Sequence, residues 1–353
     1  MNIDLYGLGW DAGFAAAYAR FDRPDHRPAR VTRVDRGICC LLTEPGQARA
    51  SLGGAVLARA ARDPLSLPCA GDWVVLRTWP DQRATIEAVL ARRTQIVRAT
   101  AGGQSRGQVL AANLDVAAVV EPMDPEPDSG RIERLLALAW ASGAEPVVVL
   151  TKADLVRRPD RVAAQVAELA PGVPVIMVSG RTGSGLDRLR PLVTVGRTLG
   201  LLGRSGAGKS TLVNALAGTT VLATQAIRRA DGRGRHTTTY RTLIPLPGGG
   251  LVLDTPGLRG IGLHGGLAGL GQAFADIDAL ASGCRFTDCR HESEPGCAVR
   301  AAVATGELSV RRLASWRRLR GELAWQARRR QVRAKTEMQR RYGHRRAAGG
   351  PRP

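Results

Sequence analysis

Aromatic residues are scarce in this chain: Phe, Trp and Tyr together make up 4% of its 353 residues. A surface that holds single-stranded nucleic acid by stacking successive bases needs more rings than that. Base stacking is therefore not well supported. Long apolar runs are missing too, and no stretch approaches the roughly 20 residues that a bilayer-spanning helix needs. The opening Met1-Asn-Ile-Asp-Leu-Tyr6 has no basic segment leading into an apolar one, so no secretion signal is expected and the chain reads as cytoplasmic. Acidic residues are outnumbered, 31 Asp and Glu against 51 Lys and Arg, for a formal charge of +20. That excess points to a polyanionic partner, nucleic acid ahead of a membrane surface because no amphipathic anchor is evident, although an Arg- and Ala-rich composition alone gives the same balance. Nothing suggests stable oligomers, so a monomer is expected. Of six cysteines, Cys39, Cys40 and Cys69 read as core residues, while Cys284, Cys289 and Cys297 crowd together with His291. In a reducing compartment that grouping suggests a metal rather than a disulfide.

What is present most distinctly is a phosphate-binding loop, Gly203, Arg204, Ser205, Gly206, Ala207, Gly208, Lys209, Ser210 and Thr211, at the spacing G-x-x-x-x-G-K-[ST]. An apolar run, 198–202, precedes it and a helical pattern, 212–217, follows, which is the strand, loop, helix context the motif requires. Its glycines let backbone N–H groups close around phosphate oxygens at a helix N-terminus; Lys209 reaches the outer phosphates and the Ser210 hydroxyl can ligate Mg²⁺.

Upstream, the strand 145–150 leads into Thr151, Lys152, Ala153 and Asp154, which resemble the [NT]KxD element by which P-loop GTPases read guanine. Asp154 can accept from guanine N1–H and N2–H₂ while the Lys152 stem lies along the base. Adenine offers no such donor pair, which disfavours an ATPase or a small-molecule kinase. The usual first residue is Asn, and Thr151 offers a shorter hydroxyl. Ser179 and Gly180, after the strand 173–178, resemble the loop whose backbone N–H contacts the guanine carbonyl, with Gly in place of the familiar Ala. Downstream, Asp254 and Gly257 form Asp-x-x-Gly at the end of a strand; Asp254 would hold Mg²⁺ through water and the Gly257 N–H would meet the γ-phosphate. A threonine of the 237–239 run, Thr238, would complete the metal shell.

In ordinary GTPases the phosphate loop comes first, whereas here Asp154 precedes Lys209, so the domain is circularly permuted. The expected fold is multidomain: a leader (1–28), an OB-type β-barrel from closely spaced short strands (29–98), a central α/β circularly permuted P-loop GTPase (99–271), a zinc-binding α-helical module with an Arg-rich helix (272–345), and a disordered tail (346–353). The barrel is either a nucleic-acid face or a purely structural unit. Cys284-x4-Cys289-x-His291-x5-Cys297 gives three thiolates and an imidazole, a closed tetrahedral set for one structural Zn²⁺. The Arg-rich stretch from Ser309 carries Leu313, Trp316, Leu319 and Leu323 on one side, and its basic side is either an RNA contact or a solvated face.

Together the barrel, the permuted order and the Cys/His spacing resemble the ribosome small subunit-dependent GTPase A family; residues 112–115, 234–239 and 284–297 read like that family beyond the generic motifs. The resemblance implies GTP hydrolysis to GDP and phosphate stimulated by the 30S ribosomal subunit, contact with 16S rRNA, and a role in late assembly. It also implies a role for His236. Leu258 follows Gly257 where many GTPases place a water-orienting glutamine, and a leucine cannot orient water; the resemblance implies that His236 takes that role instead, a catalytic candidate beside Lys209. The rival reading is an RNA-binding assembly factor whose nucleotide state is incidental.

Overall fold

The computed structural model describes residues 4–99, 107–222, 241–255, 262–263 and 267–348. Its first helix, α1 (Ala12–Tyr18), starts where the Asp11 carboxylate accepts from the backbone N–H groups of Gly13 and Phe14, a helix N-cap. Trp10, Phe14 and Tyr18 recur every four residues, so one face of this segment is aromatic. It packs on the barrel, with the ring of Trp10 4.7 Å and that of Phe14 5.9 Å from Trp73. The stretch read as a poorly patterned leader is thus a packed element.

The barrel closes from β1 (His26–Asp35), β2 (Ile38–Thr43), β3 (Gly46–Leu52), β4 (Trp73–Thr78) and β5 (Ala84–Val89), in the order β1-β2-β3-β5-β4. Its one parallel pair is β3 with β5, and helix α2 (Gly54–Arg62) bridges β3 and β4, the OB-type arrangement. Alternate residues such as Val31, Leu41, Val74, Leu76 and Ile86 fill the interior. β1 begins at His26, three residues ahead of the expected barrel start at 29. β6 (Gln95–Ala99) leaves the barrel to pair with β7 (Gly107–Ala112) and β14 (Gly262–Leu263) in a separate three-stranded sheet.

The central sheet is built from β8 (Val116–Pro122), β9 (Glu145–Thr151), β10 (Val175–Met177), β11 (Thr198–Leu202), β12 (Thr242–Pro245) and β13 (Leu251–Asp254), in the order β10-β9-β8-β11-β13-β12. All neighbours are parallel except β12, which runs antiparallel to β13 at the edge. Every residue of β8 and β11 is buried, as expected of central strands covered by helices on both faces. The helices α3 (Ser129–Ser142), α4 (Pro159–Leu169), α5 (Leu186–Leu189) and α6 (Lys209–Ala217) connect them. Buried Arg30 on β1 ties three parts together, donating to the Leu8 carbonyl at 2.6 Å, the Asn113 carbonyl at 3.1 Å and the Thr198 hydroxyl at 3.2 Å.

The C-terminal part comprises α7 (Ala268–Ala273), α8 (Ala275–Ala281), α9 (Ala298–Thr305) and α10 (Val310–Ala348). Leu313, Trp316, Leu319 and Leu323 are the buried stripe of α10. Gly269 lies so near α3 that a Cβ there would stand 2.5 Å from the Ala137 carbonyl oxygen. Among the described residues no helix is long and apolar enough to cross a membrane.

Candidate nucleotide site and metal centre

The phosphate loop leaves β11 against the neighbouring strand, where a Cβ on Gly203 would stand 2.3 Å from the Val120 carbonyl oxygen. Gly206 (φ 79°) and Gly208 (φ 86°) take left-handed conformations that turn the chain into α6 at little steric cost. Lys209 is buried in the first turn of α6, and its Nζ donates to the Gly203 carbonyl at 2.9 Å and the Arg204 carbonyl at 3.0 Å. Burial lowers its pKa, and the negative charge of Asp254 offsets only part of that. Asp254 is buried at the C-terminal end of β13, directly beside Leu201 in the strand register. Ser210 follows Lys209 half-buried, with Ser205 and Thr211 exposed.

Thr151 ends β9 with its hydroxyl inside the fold, donating to the Ala207 carbonyl at 2.6 Å. The residue at the head of the proposed base-reading element therefore braces the phosphate loop. Lys152 adopts the left-handed conformation (φ 60°) and its Nζ donates to the Asp124 carbonyl at 3.1 Å. Ala153 and Asp154 lie in the short 3-10 turn Ala153–Leu155. The Ser179 hydroxyl donates to Asp154 Oδ1 at 2.6 Å and Arg181 Nε donates to Oδ2 at 3.1 Å. The Ser179 bond, and after it Arg181, hold the Asp154 carboxyl below the usual range against the opposing effect of burial. A Cβ on Gly180 would sit 3.1 Å from Thr211 Cγ2 and 3.2 Å from Thr211 backbone atoms, so this loop rests on the first turn of α6 and glycine fits there more easily than alanine.

Thr151, Lys152, Ala153, Asp154, Ser179, Gly180 and the loop 203–211 thus gather at the C-terminal ends of β9, β10 and β11, where open parallel sheets bind ligands. His236, Thr238 and Gly257 lie outside the described residues. Sequence reasoning passed over Arg181. A basic residue after Ser-Gly carries no pattern of its own, and only the fold brings it to Asp154.

The second cluster is Cys284, Cys289, His291 and Cys297, whose ligand atoms all lie within 4.8 Å of one another. Cys284 Sγ and Cys297 Sγ are 3.9 Å apart, and His291 Nδ1 is 3.6 Å from the first and 3.4 Å from the second. A tetrahedron of three sulfurs and one nitrogen with arms of about 2.0–2.3 Å has edges of about 3.5–3.8 Å, so Cys284, His291 and Cys297 stand near those separations and, with Cys289 within 4.8 Å of each, the set could hold one metal ion. Partial burial works against ionising Cys284, but the Val299 and Ala298 N–H groups at the start of α9, together with hydrogen bonds from Cys297 and Cys289, bring its thiol below the ordinary value. The α10 helix supports the set from behind: the Trp316 ring lies 5.3 Å from the His291 ring, and the Arg317 guanidinium donates to the His291 carbonyl.

Among known proteins, the profile of the family described as RsgA GTPase matches residues 89–264. A protein of Streptomyces coelicolor named small ribosomal subunit biogenesis GTPase RsgA is 49% identical over 348 residues, covering 98% of this chain and 93% of that one. A similarly named RsgA 2 of Lactiplantibacillus plantarum is 43% identical over 307 residues, covering 87% of this chain and 86% of that one. The crystal structure of YjeQ from Thermotoga maritima matches with a TM-score of 0.58 at 25% identity, over 85% of this chain and 99% of that one. YloQ, described as a circularly permuted GTPase, matches with a TM-score of 0.58 at 24% identity over 85% of this chain and 95% of that one, and shares the fold.

Proposed function

The chain belongs to the RsgA GTPase family, and from that premise we propose that it is a GTPase of small ribosomal subunit biogenesis that docks on the 30S subunit, contacts 16S rRNA, hydrolyses GTP there and then leaves. The observation that carries the nucleotide reading is the junction of two motifs far apart in sequence: the Thr151 hydroxyl on the Ala207 carbonyl fixes the Asp154 element against the phosphate loop. One ligand with a guanine at one end and phosphates at the other suits that junction.

In the proposed reaction water attacks the γ-phosphorus, the bond to the β,γ-bridging oxygen breaks, and GDP and phosphate leave. Lys209 neutralises charge on the outer phosphates, and the loop N–H groups hold them in line. Asp154 reads the base, with Lys152 along its face, Thr151 bracing the phosphate loop, and the Ser179–Gly180 turn at the guanine carbonyl. Mg²⁺ would be held by Ser210, by Asp254 through water and by Thr238, and supplies charge neutralisation between the phosphates. Ser210 at the start of α6 and Asp254 at the end of β13 have the oxygen donors it prefers. Gly257 meets the γ-phosphate and His236 orients the water. The cysteine and histidine set holds one structural Zn²⁺, and the protein works as a cytoplasmic monomer.

The test is GTP turnover with and without purified small subunits, with ATP and large subunits as controls. Small subunits alone are expected to raise GTP turnover strongly. Turnover fixed at its basal level would overturn the partner and leave the GTP site standing.

A further inference from the structure

Arg181 lies beyond the Ser179–Gly180 turn, and its guanidinium closes on the carboxylate assigned to guanine. Its Nε is 3.1 Å and one terminal nitrogen 3.0 Å from Asp154 Oδ2, while the Ser179 hydroxyl takes Oδ1 at 2.6 Å. The two partners differ in how firmly they are held. Ser179 is buried and its hydroxyl also accepts from the Thr182 N–H at 3.1 Å, whereas the Arg181 side chain keeps 74% of its exposure against 14% for Asp154. Ser179 is therefore a fixture of the carboxylate and Arg181 a solvated arm laid over it.

The chemistry of that arm matters because of what guanine presents. N1, C2 and the exocyclic N2 form a guanidine-like unit with neighbouring N–H donors, which is also what an arginine side chain offers a carboxylate. We propose that Arg181 is an internal stand-in for the guanine edge: it covers Asp154 when the base is away and must swing off when the base arrives. Apparent affinity is then the intrinsic affinity scaled by the fraction of time the carboxylate is uncovered. Arg181 tunes how readily the site lets nucleotide go. This rests on the reading of Asp154 as the guanine-reading residue.

The measurement is equilibrium binding of GDP and of inosine diphosphate, which lacks the N2 amino group, to the full chain and its variants. Competition by an exposed ion pair is modest, so R181A is expected to tighten both ligands by the same factor, about two- to fivefold at low salt. Raising the salt should narrow the gap between R181A and the parent, since the pair is screened. D154N should lose the preference for GDP over inosine diphosphate, and in that background R181A should change nothing. If R181A weakens GDP binding or leaves it unchanged while D154N loses the preference, Arg181 is not a competitor and only this proposal falls. If D154N keeps the preference, the base-reading assignment itself falls.

Discussion

The Thr151 hydroxyl does work that its place in a base-reading motif does not announce. It is buried, it donates to the Ala207 carbonyl at 2.6 Å, and a Cβ on Gly208 would come within 3.2 Å of it. Replacing it with valine keeps the shape and removes the donor, so the Ala207 carbonyl is left in the interior without that bond. Such a loss costs about 1–3 kcal/mol, and where it falls on the phosphate loop, about 1.4 kcal/mol is tenfold in affinity. Thr151→Val is expected to weaken GDP binding by about tenfold with little change in secondary structure; calorimetry returning parental affinity would remove Thr151 from the site. In the sequence, Thr151 in place of Asn is no more than a shorter hydroxyl at the head of the motif. The 56-residue separation from Ala207 hides the contact, because nothing local in the chain says that β9 and β11 end side by side. The placement of Lys209, Ser210 and Asp154 at the C-terminal ends of the strands, by contrast, was legible, since each sits in a motif that carries its own strand-and-turn context.

At the scale of elements, the segment between α8 and α9 has almost no core of its own beyond Cys289, His291 and Cys297. Its turns are held by backbone bonds such as Arg285 N–H to the Gly296 carbonyl at 3.0 Å and by the Cys297 sulfur, which accepts from the Arg300 N–H at 3.5 Å as the N-cap of α9. A closed metal set would fasten both ends at once, and binding free energy there is folding free energy. The purified chain is expected to carry one equivalent of zinc. C297S should lose it and expose 284–297 to protease while GDP binding persists. Metal analysis that finds none in a folded parent would refute the zinc assignment. The grouping of these four side chains was legible, because residues 284–297 are near enough in the chain to need no tertiary information. The aromatic first helix was not. Trp10, Phe14 and Tyr18 are spaced as one helical face, but their partner Trp73 stands on the fourth barrel strand, and so short a pattern has no visible purpose until that strand is in place.

At the scale of the molecule, permutation sends the chain from the Asp254-x-x-Gly257 element, which corresponds to the second of the two switch segments of a GTPase, straight into the C-terminal module. The structure shows how that module is joined to the GTPase domain. Glu133 on α3 is fully buried and receives Arg311 at 2.9 Å and Arg312 at 3.0 Å from the first turn of α10. Arg312 also reaches Asp276 at 2.8 Å and donates to the Leu169 and Ala273 carbonyls at 3.0 and 2.9 Å, so one buried guanidinium joins α3, α4, α7, α8 and α10. Periodicity could not reveal it, since arginines 311 and 312 look like any others in a basic helix. Removing one member of such a network strands the remaining charges, at a cost of about 3–5 kcal/mol. Glu133→Gln keeps the shape, and it is expected to lower the urea midpoint and to release α10 to protease before the central sheet unfolds. If signals from the subunit reach the switches through this joint, the same variant keeps basal GTP turnover and loses most of the stimulation. Stimulation at the parental level in a chain whose α10 is demonstrably loosened would place the signal elsewhere, on the barrel or on the switch segments themselves.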